Sequence, residues 1–168
     1  MRQVLKKKLG KKAGRTALLV LLLAVFLSYN PISARIFTVS VAIYHKLDPV
    51  VFYRLIRTES NFRSFAVSRK AALGLGQIKE DTALYIHPNH KRGLLFYPLY
   101  NLDMAARYLH YLKSKYHDNW SLSLAAYNWG ETNVNKRLSG MEIDPKYNYR
   151  ELFRDIPETY EYIGKILN

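Results

Sequence analysis

Residues 57–83 read RTESNFRSFAVSRKAALGLGQIKEDTA. A single acid, Glu59, stands alone here until Glu80 and Asp81, in a chain whose formal net charge is +13. Glu59 closes an apolar-periodic segment and precedes a run of small residues that includes Gly74 and Gly76. Pattern alone leaves two readings of it. A glutamate at a helix end is ordinarily a solvated surface residue. Half-buried at the mouth of a cleft, the same carboxyl would have its pKa raised by desolvation and could donate a proton near neutrality. The glycines divide in the same way, between ordinary turn positions and places where backbone approaches a ligand.

Working outward, helix signals dominate. Asp48-Pro49 supplies an N-cap and a proline at N1, which predicts a helix over VVFYRLIRTES with Glu59 at its end, behind Val51, Leu55 and Ile56. Pro98 opens another, with Leu99, Leu102, Ala106, Leu109, Leu112 and Tyr116 spaced for one apolar face. Asp118 is placed to cap NWSLSLAAYNW, which Gly130 would end, and Pro157 starts a last helix through Tyr162, Ile163, Ile166 and Leu167. The stretch IFTVSVAIYHKL is ambiguous, because Phe37, Val39, Val41 and Ile43 alternate as in a strand. Strand signals are otherwise nearly absent, so the fold class is mainly α.

Composition sets the limits. The 168 residues fit one domain plus an N-terminal segment. Residues 1–16 hold seven of the 26 Lys and Arg (Arg2, Lys6, Lys7, Lys8, Lys11, Lys12 and Arg15) and no acid; the rest of the chain carries only +6. That balance suits an anionic polymer or surface and does not single out nucleic acid. With no cysteine in the chain, disulfides, thiolate catalysis, cysteine zinc sites and a lipid-bearing cysteine are excluded. After the basic segment comes ALLVLLLAVFL at 17–27, then Pro31 and an Ile32-Ser33-Ala34 that can be read as a cleavage site. A positive segment followed by a short apolar run is the layout of an export signal. Eleven apolar residues fall short of the roughly 20 that span a bilayer, so residues 1–34 are read as a signal peptide or a signal anchor and residues 35–168 as the working domain.

Five strings inside that domain occur together in one order. They are ES-x-F at Glu59–Phe62, AVS at Ala66–Ser68 with A-x-G-L-x-Q at Ala72–Gln77 and Thr82-Ala83, NLDMAARYLHYL at Asn101–Leu112, AAYNWG at Ala125–Gly130, and PETYEYIGKIL at Pro157–Leu167. In this order they resemble the motifs of the soluble lytic transglycosylase family, lysozyme-like enzymes that cleave murein and are related to goose-type lysozyme. The resemblance implies a lysozyme-like helical domain acting on peptidoglycan glycan strands, with neither metal nor cofactor. It implies Glu59 as the catalytic acid, Ser68 and Gln77 as cleft residues that meet the sugar, and Tyr127-Asn128 as a pair beside the catalytic carboxyl. Glu158 then matches a helix glutamate that supports the site, and Tyr162 a tyrosine near that helix.

A glycosidase normally needs two carboxylates. The lytic reaction implied by the resemblance needs one. The acid protonates the glycosidic oxygen between N-acetylmuramic acid and N-acetylglucosamine, then takes the proton of the muramoyl C6 hydroxyl as that oxygen closes onto C1 in a 1,6-anhydro ring. A hydrolytic muramidase on the same fold would want a second carboxylate, for which Glu80 or Asp81 are the candidates. A third reading is a glycan-binding or assembly protein without activity, against which stand an intact Glu59, Gln77 and Tyr127-Asn128.

The chain departs from the family pattern at Ala71, where glycine is usual, at Gly76, where methionine is common, at Glu80, where proline is frequent, and at Trp129, where a small residue is common. Loss of the methionine is expected to remove an apolar cleft contact. Trp129 either extends a sugar-stacking surface or packs in the core. His87 and His90 in HPNH lack a glutamate at zincin spacing and read as a loop without metal. Tyr147, Tyr149 and Arg150 read as structural, with sugar contact left open. Export to the cell envelope is expected, either free in the periplasm or anchored at the outer face of the membrane. General wall remodelling, gap opening for an envelope-spanning apparatus that would supply a protein partner, and lysis all fit the same sequence.

Overall fold

The computed structural model describes the backbone of residues 2–168 and the side chains of residue 12 and residues 14–168. The side chains of Arg2, Lys6, Lys7, Lys8 and Lys11, which carry most of the N-terminal charge, lie outside the described residues. The elements are α1 (Arg2–Tyr29), α2 (Pro31–Tyr44), α3 (Pro49–Ser60), α4 (Glu80–Ile86), α5 (Pro98–Lys115), α6 (Trp120–Trp129), α7 (Glu131–Arg137) and α8 (Pro157–Leu167). Single 3-10 turns at Arg92–Phe96 and Tyr149–Phe153 complete the set. The described residues form no regular strand; only isolated bridges pair Val67 with Leu73 and Leu73 with Ile78. The chain is mainly helical, as its sequence predicts.

Most helix starts follow local chemistry. Asp48 accepts hydrogen bonds from the Val50 and Val51 amides, with Pro49 in the first turn, so α3 begins where the cap dictates. Pro98 and Pro157 likewise open α5 and α8. Two expectations shift. The cap of α6 is Asn119, whose side chain accepts from the Leu122 amide at 3.0 Å. Asp118 stands in the left-handed region, at φ 63°, and pairs with Lys113 instead. Asn119 also donates to the carbonyls of Asp144 and Tyr147, which an aspartate could not do. The second shift is Leu99, which is 52% exposed while Leu102, Ala106, Leu109 and Leu112 are fully buried. It sits in the first turn of α5, before the helix enters the core.

The ambiguous stretch is helical. Ala34, Thr38 and Ala42, four residues apart, form the buried edge of α2, and their small size lets α2 pack against both α3 and α5. The alternation of Phe37, Val39, Val41 and Ile43 does not decide the outcome, because tertiary packing outweighs the modest helix penalty of β-branched residues.

The core is built by Phe52, Leu55 and Ile56 of α3, the apolar face of α5, Leu122–Ala126 of α6, and Ile163 and Ile166 of α8. Helix α8 packs on both α3 and α6, which brings the C-terminal motif to the end of α3 where Glu59 stands. Outside this body lies α1. Its large apolar side chains between Leu18 and Leu27 are 49–67% exposed, and it meets α2 at a bend of 65°. Among the described residues no single helix is long and apolar enough to cross a membrane.

Candidate active site

Glu59 occupies the last turn of α3. Asn61 and Phe62 follow at φ 50° and 61°; these two left-handed residues stop the helix and turn the chain away, leaving the carboxyl at the floor of a cleft. The cleft has two halves that share Glu59, Ser68 and Gln77. One, about 520 Å³, is walled by Lys79, Tyr108, Tyr127, Asn128, Trp129 and Glu158. The other, about 650 Å³, is walled by Tyr29, Pro31 and Phe62–Val67.

The environment of Glu59 resolves the two readings of its sequence. It is half-buried, and its pKa is pushed up to about 7. Burial is the main cause, since removing water penalises the charged form. Tyr162 opposes the shift by donating its hydroxyl to Oε1 at 2.5 Å, and the charge of Glu158 adds to it. Among the described residues no hydrogen bond reaches Oε2, so one oxygen is held by protein and the other faces the cleft. The Tyr162 phenol is itself buried and its pKa is driven well above the ordinary tyrosine value, by burial first and then by the neighbouring Glu59 charge. It therefore stays a donor at any working pH.

The other predicted residues gather around this carboxyl in distinct roles. Tyr127 donates to the Gly76 carbonyl at 2.7 Å. Its hydroxyl pKa is also well raised, by burial and then by Glu59. Asn128 accepts from Thr159 Oγ1 at 2.8 Å, which leaves its amide Nδ2 as the free end on the cleft wall. Gln77 stands at φ 49° and donates Nε2 to the carbonyls of Gly74 and Ala66; among the described residues its Oε1 has no hydrogen-bond partner. Ser68 accepts from the Lys70 and Ala72 amides and closes a tight turn, while its own hydroxyl hydrogen remains available to the cleft. Glu158 is exposed in the first turn of α8 and acts on Glu59 through its charge.

Gly76 corrects one expectation. It does not line the cleft. A Cβ built there would stand 2.6 Å from the Ala105 Cβ and 3.2 Å from the Tyr127 hydroxyl, so this position faces α5 and the bare backbone is what lets the loop lie against it. Gly74, at φ 74°, is closed off by Asn101 and the Leu95 carbonyl in the same way. The close approach that these two glycines allow is to α5 and its neighbours. Trp129 packs against the core, edge-on to Phe153 with Arg137 over its ring, and it also lines the cleft.

Neither acid suggested as a partner for Glu59 faces it. Glu80 begins α4 and approaches His90 Nε2 at 3.7 Å, and Asp81 lines an adjoining depression with Tyr85 and Tyr111 that meets the cleft at Thr82 and Tyr108 and does not include Glu59. His90 is buried, with Nδ1 2.9 Å from the Tyr100 hydroxyl. Tyr149 is buried and Arg150 donates to the Tyr160 carbonyl, so these two are structural; Tyr147 stands edge-on to Tyr149 and is 58% exposed. Sequence reasoning missed Asn101. Buried on α5, it accepts from the Gly76 amide at 2.7 Å and donates to the Leu73 and Leu95 carbonyls. The available signal was a polar residue four positions before Ala105, on the helix face that packs inward.

Comparison with known proteins agrees with this geometry. Three solved structures superpose well. The first is an inactive glutamate-to-glutamine mutant of the lytic transglycosylase Slt of Pseudomonas aeruginosa, with 26% identity and a TM-score of 0.71 over 82% of this chain and 23% of that one. The second is the 70 kDa soluble lytic transglycosylase of Escherichia coli, with 27% identity and a TM-score of 0.65 over 76% and 22%. The third is a complex of the 70 kDa soluble lytic transglycosylase with bulgecin A, with 26% identity and a TM-score of 0.68 over 84% and 23%. The chain thus spans less than a quarter of the length of these relatives. Residues 42–149, well over half of the chain, match the model of the Transglycosylase SLT domain. By its fold, by the company Glu59 keeps and by this match, the chain belongs to the Transglycosylase SLT domain family.

Proposed function

We propose that the protein is a peptidoglycan lytic transglycosylase that cuts the β-1,4 bond between N-acetylmuramic acid and N-acetylglucosamine and leaves 1,6-anhydromuramoyl ends. The observation that carries this reading is one half-buried carboxyl with a pKa of about 7, held on one oxygen by Tyr162 and open to the cleft on the other. Protonated Glu59 gives its proton to the glycosidic oxygen as the C1–O bond breaks. The carboxylate so formed accepts the Tyr162 hydrogen bond and faces the positive charge developing at C1. It then takes the proton of the C6 hydroxyl as that oxygen bonds to C1, which restores the acid and consumes no water. The C6 oxygen is tethered to the reacting sugar, so its attack has a large effective-concentration advantage over free water. Asn128 Nδ2, Gln77 Oε1 and the Ser68 hydroxyl are the free polar groups placed to orient the sugars.

Glu158 is the other carboxylate on the cleft, and a hydrolytic muramidase would use it as the base for water. Mass spectrometry of muropeptides from digested wall separates the readings. Anhydro ends, one water lighter than reducing ends, are expected. Predominantly reducing muramic acid ends would transfer the assignment to a hydrolase with Glu158 as base, and binding without cleavage would support the inactive reading.

The protein is further proposed to be exported, with α1 as the targeting segment, and to act in the cell envelope. Its exposed apolar run behind a basic N-terminus supports this. A fusion of residues 1–35 to a reporter active only outside the cytoplasm should report; a silent cytoplasmic fusion would refute export.

A further inference from the structure

Tyr29 and Pro31, where α1 meets the domain, line the half of the cleft that also contains Phe62 and Phe65. Tyr29 lies flat on Phe65, with ring centroids 5.0 Å apart and planes within 5°. The junction is fastened by Asn30. Its Oδ1 accepts from the Ile32 and Ser33 amides, capping α2, while its Nδ2 donates to the Leu27 carbonyl at the end of α1. Four residues on, Ala34 is fully buried in the core, and its amide donates to the Asn30 carbonyl at 3.1 Å.

A removable leader leaves the mature fold intact when it goes. Cleavage after Ala34 would here remove the α2 cap, the first turn of α2, a core residue and one wall of the cleft. We infer that residues 29–34 are retained in the working protein, and that Tyr29, borne on the end of α1, is a sugar-contacting residue of the cleft. Stacked with Phe65, it presents aromatic surface to a pyranose ring on that side of Glu59. Aromatic faces suit the C–H faces of sugars, and a well-placed ring contact is worth about 3- to 10-fold in affinity. The inference rests on the glycan reading above. Its consequence is that the glycan is cut within reach of whatever surface the exposed apolar run of α1 enters.

Two measurements on the full chain test it. The intact mass of the protein recovered from its own cell envelope should include Tyr29; an N-terminus at Arg35 would overturn the inference. In detergent, Tyr29→Ala should raise KM about 3- to 10-fold for long glycan strands that fill both halves of the cleft, with little change in kcat and a smaller effect on the shortest cleavable oligosaccharides. Tyr29→Phe, which keeps the stacked ring, should restore the parent KM. An unchanged KM in Tyr29→Ala, or a loss equal on short and long strands, would remove the cleft role. If the unaltered protein cuts no glycan, the substrate reading fails, and the recovered mass still decides whether the junction is retained.

Discussion

Replacing Glu59 with glutamine should destroy activity and, above neutral pH, make the protein more stable. The carboxyl's pKa rises from an ordinary 4.5 to about 7 on folding, chiefly through burial. Between these values the folded chain holds a proton that the unfolded chain releases. Stability from this group is therefore fully present below about pH 4.5 and is lost as pH rises through about 7. A shift of about 2.5 units at about 1.4 kcal/mol each amounts to roughly 3 kcal/mol. Glutamine matches the shape, can still accept from Tyr162 and never ionises. The other groups titrate nearly alike in both proteins, so the difference between their unfolding free energies isolates Glu59. That difference should move by about 3 kcal/mol in favour of Glu59→Gln between pH 4.5 and pH 8, or about 10 °C in Tm for a domain of this size. Urea titrations of both proteins at several pH values measure it. A difference that stays constant with pH would mean that Glu59 ionises as an ordinary surface carboxyl, and the assignment of a reserved acid would fall with it.

Two further outcomes follow from the same contacts. Tyr162→Phe removes the one hydrogen bond that lowers the Glu59 pKa, so the alkaline limb of the rate profile should move above pH 7. A charge-assisted bond of about 1.5–3 kcal/mol to the newly formed carboxylate is lost as well, so the plateau rate should fall about 10- to 100-fold; an unmoved limb would refute the coupling. Asn101→Ala leaves the Gly76 amide and the Leu95 carbonyl without the partner they have in the fold, while the Leu73 carbonyl still accepts from the Ile78 amide. At about 1–3 kcal/mol for each of these two buried groups, urea unfolding should show a loss of roughly 2 kcal/mol or more, and a loss under 1 kcal/mol would show that the loop holds itself.

Where a local cause fixed an element, the sequence displayed it. Asp48-Pro49, Pro98 and Pro157 start helices by capping and proline geometry, which depend only on neighbours in the chain. Helix α2 was not legible, because its alternating apolar residues fit a strand, and the deciding contacts of Ala34, Thr38 and Ala42 are made with other helices. The cap of α6 was missed by one residue for a similar reason. Asn119 is chosen over Asp118 by the carbonyls of Asp144 and Tyr147, some 25 residues away. Gly76 misled the reading of the loop because its constraint comes from Ala105 and Tyr127, neither of which lies near it in sequence.

The site was legible as a set of motifs and illegible as a mechanism. Tyr162 is 103 positions from Glu59, and no periodicity joins them; only the folded chain shows which oxygen of the carboxyl is held. In the proposed reaction, that contact gives one residue a way to serve twice. Burial and Glu158 press Glu59 toward the protonated form, and its place in the last turn of α3 adds the negative end of a helix dipole. The Tyr162 hydroxyl presses the other way, toward the carboxylate. Acid and base in one cycle require a pKa near the working pH, and a balance of opposed influences supplies it where burial alone would leave an acid too weak to let go of its proton. The Tyr127-Asn128 pair extends the same economy, because Tyr127 ties down the Gly76 carbonyl and Asn128 rests on Thr159. The loop that presents Ser68 and Gln77 and the helix that presents Tyr162 are thereby referred to one element, α6. A displacement of either would shift the cleft walls relative to Glu59, so in the proposed reaction the acid's pKa and the placing of the sugar depend on the same few contacts.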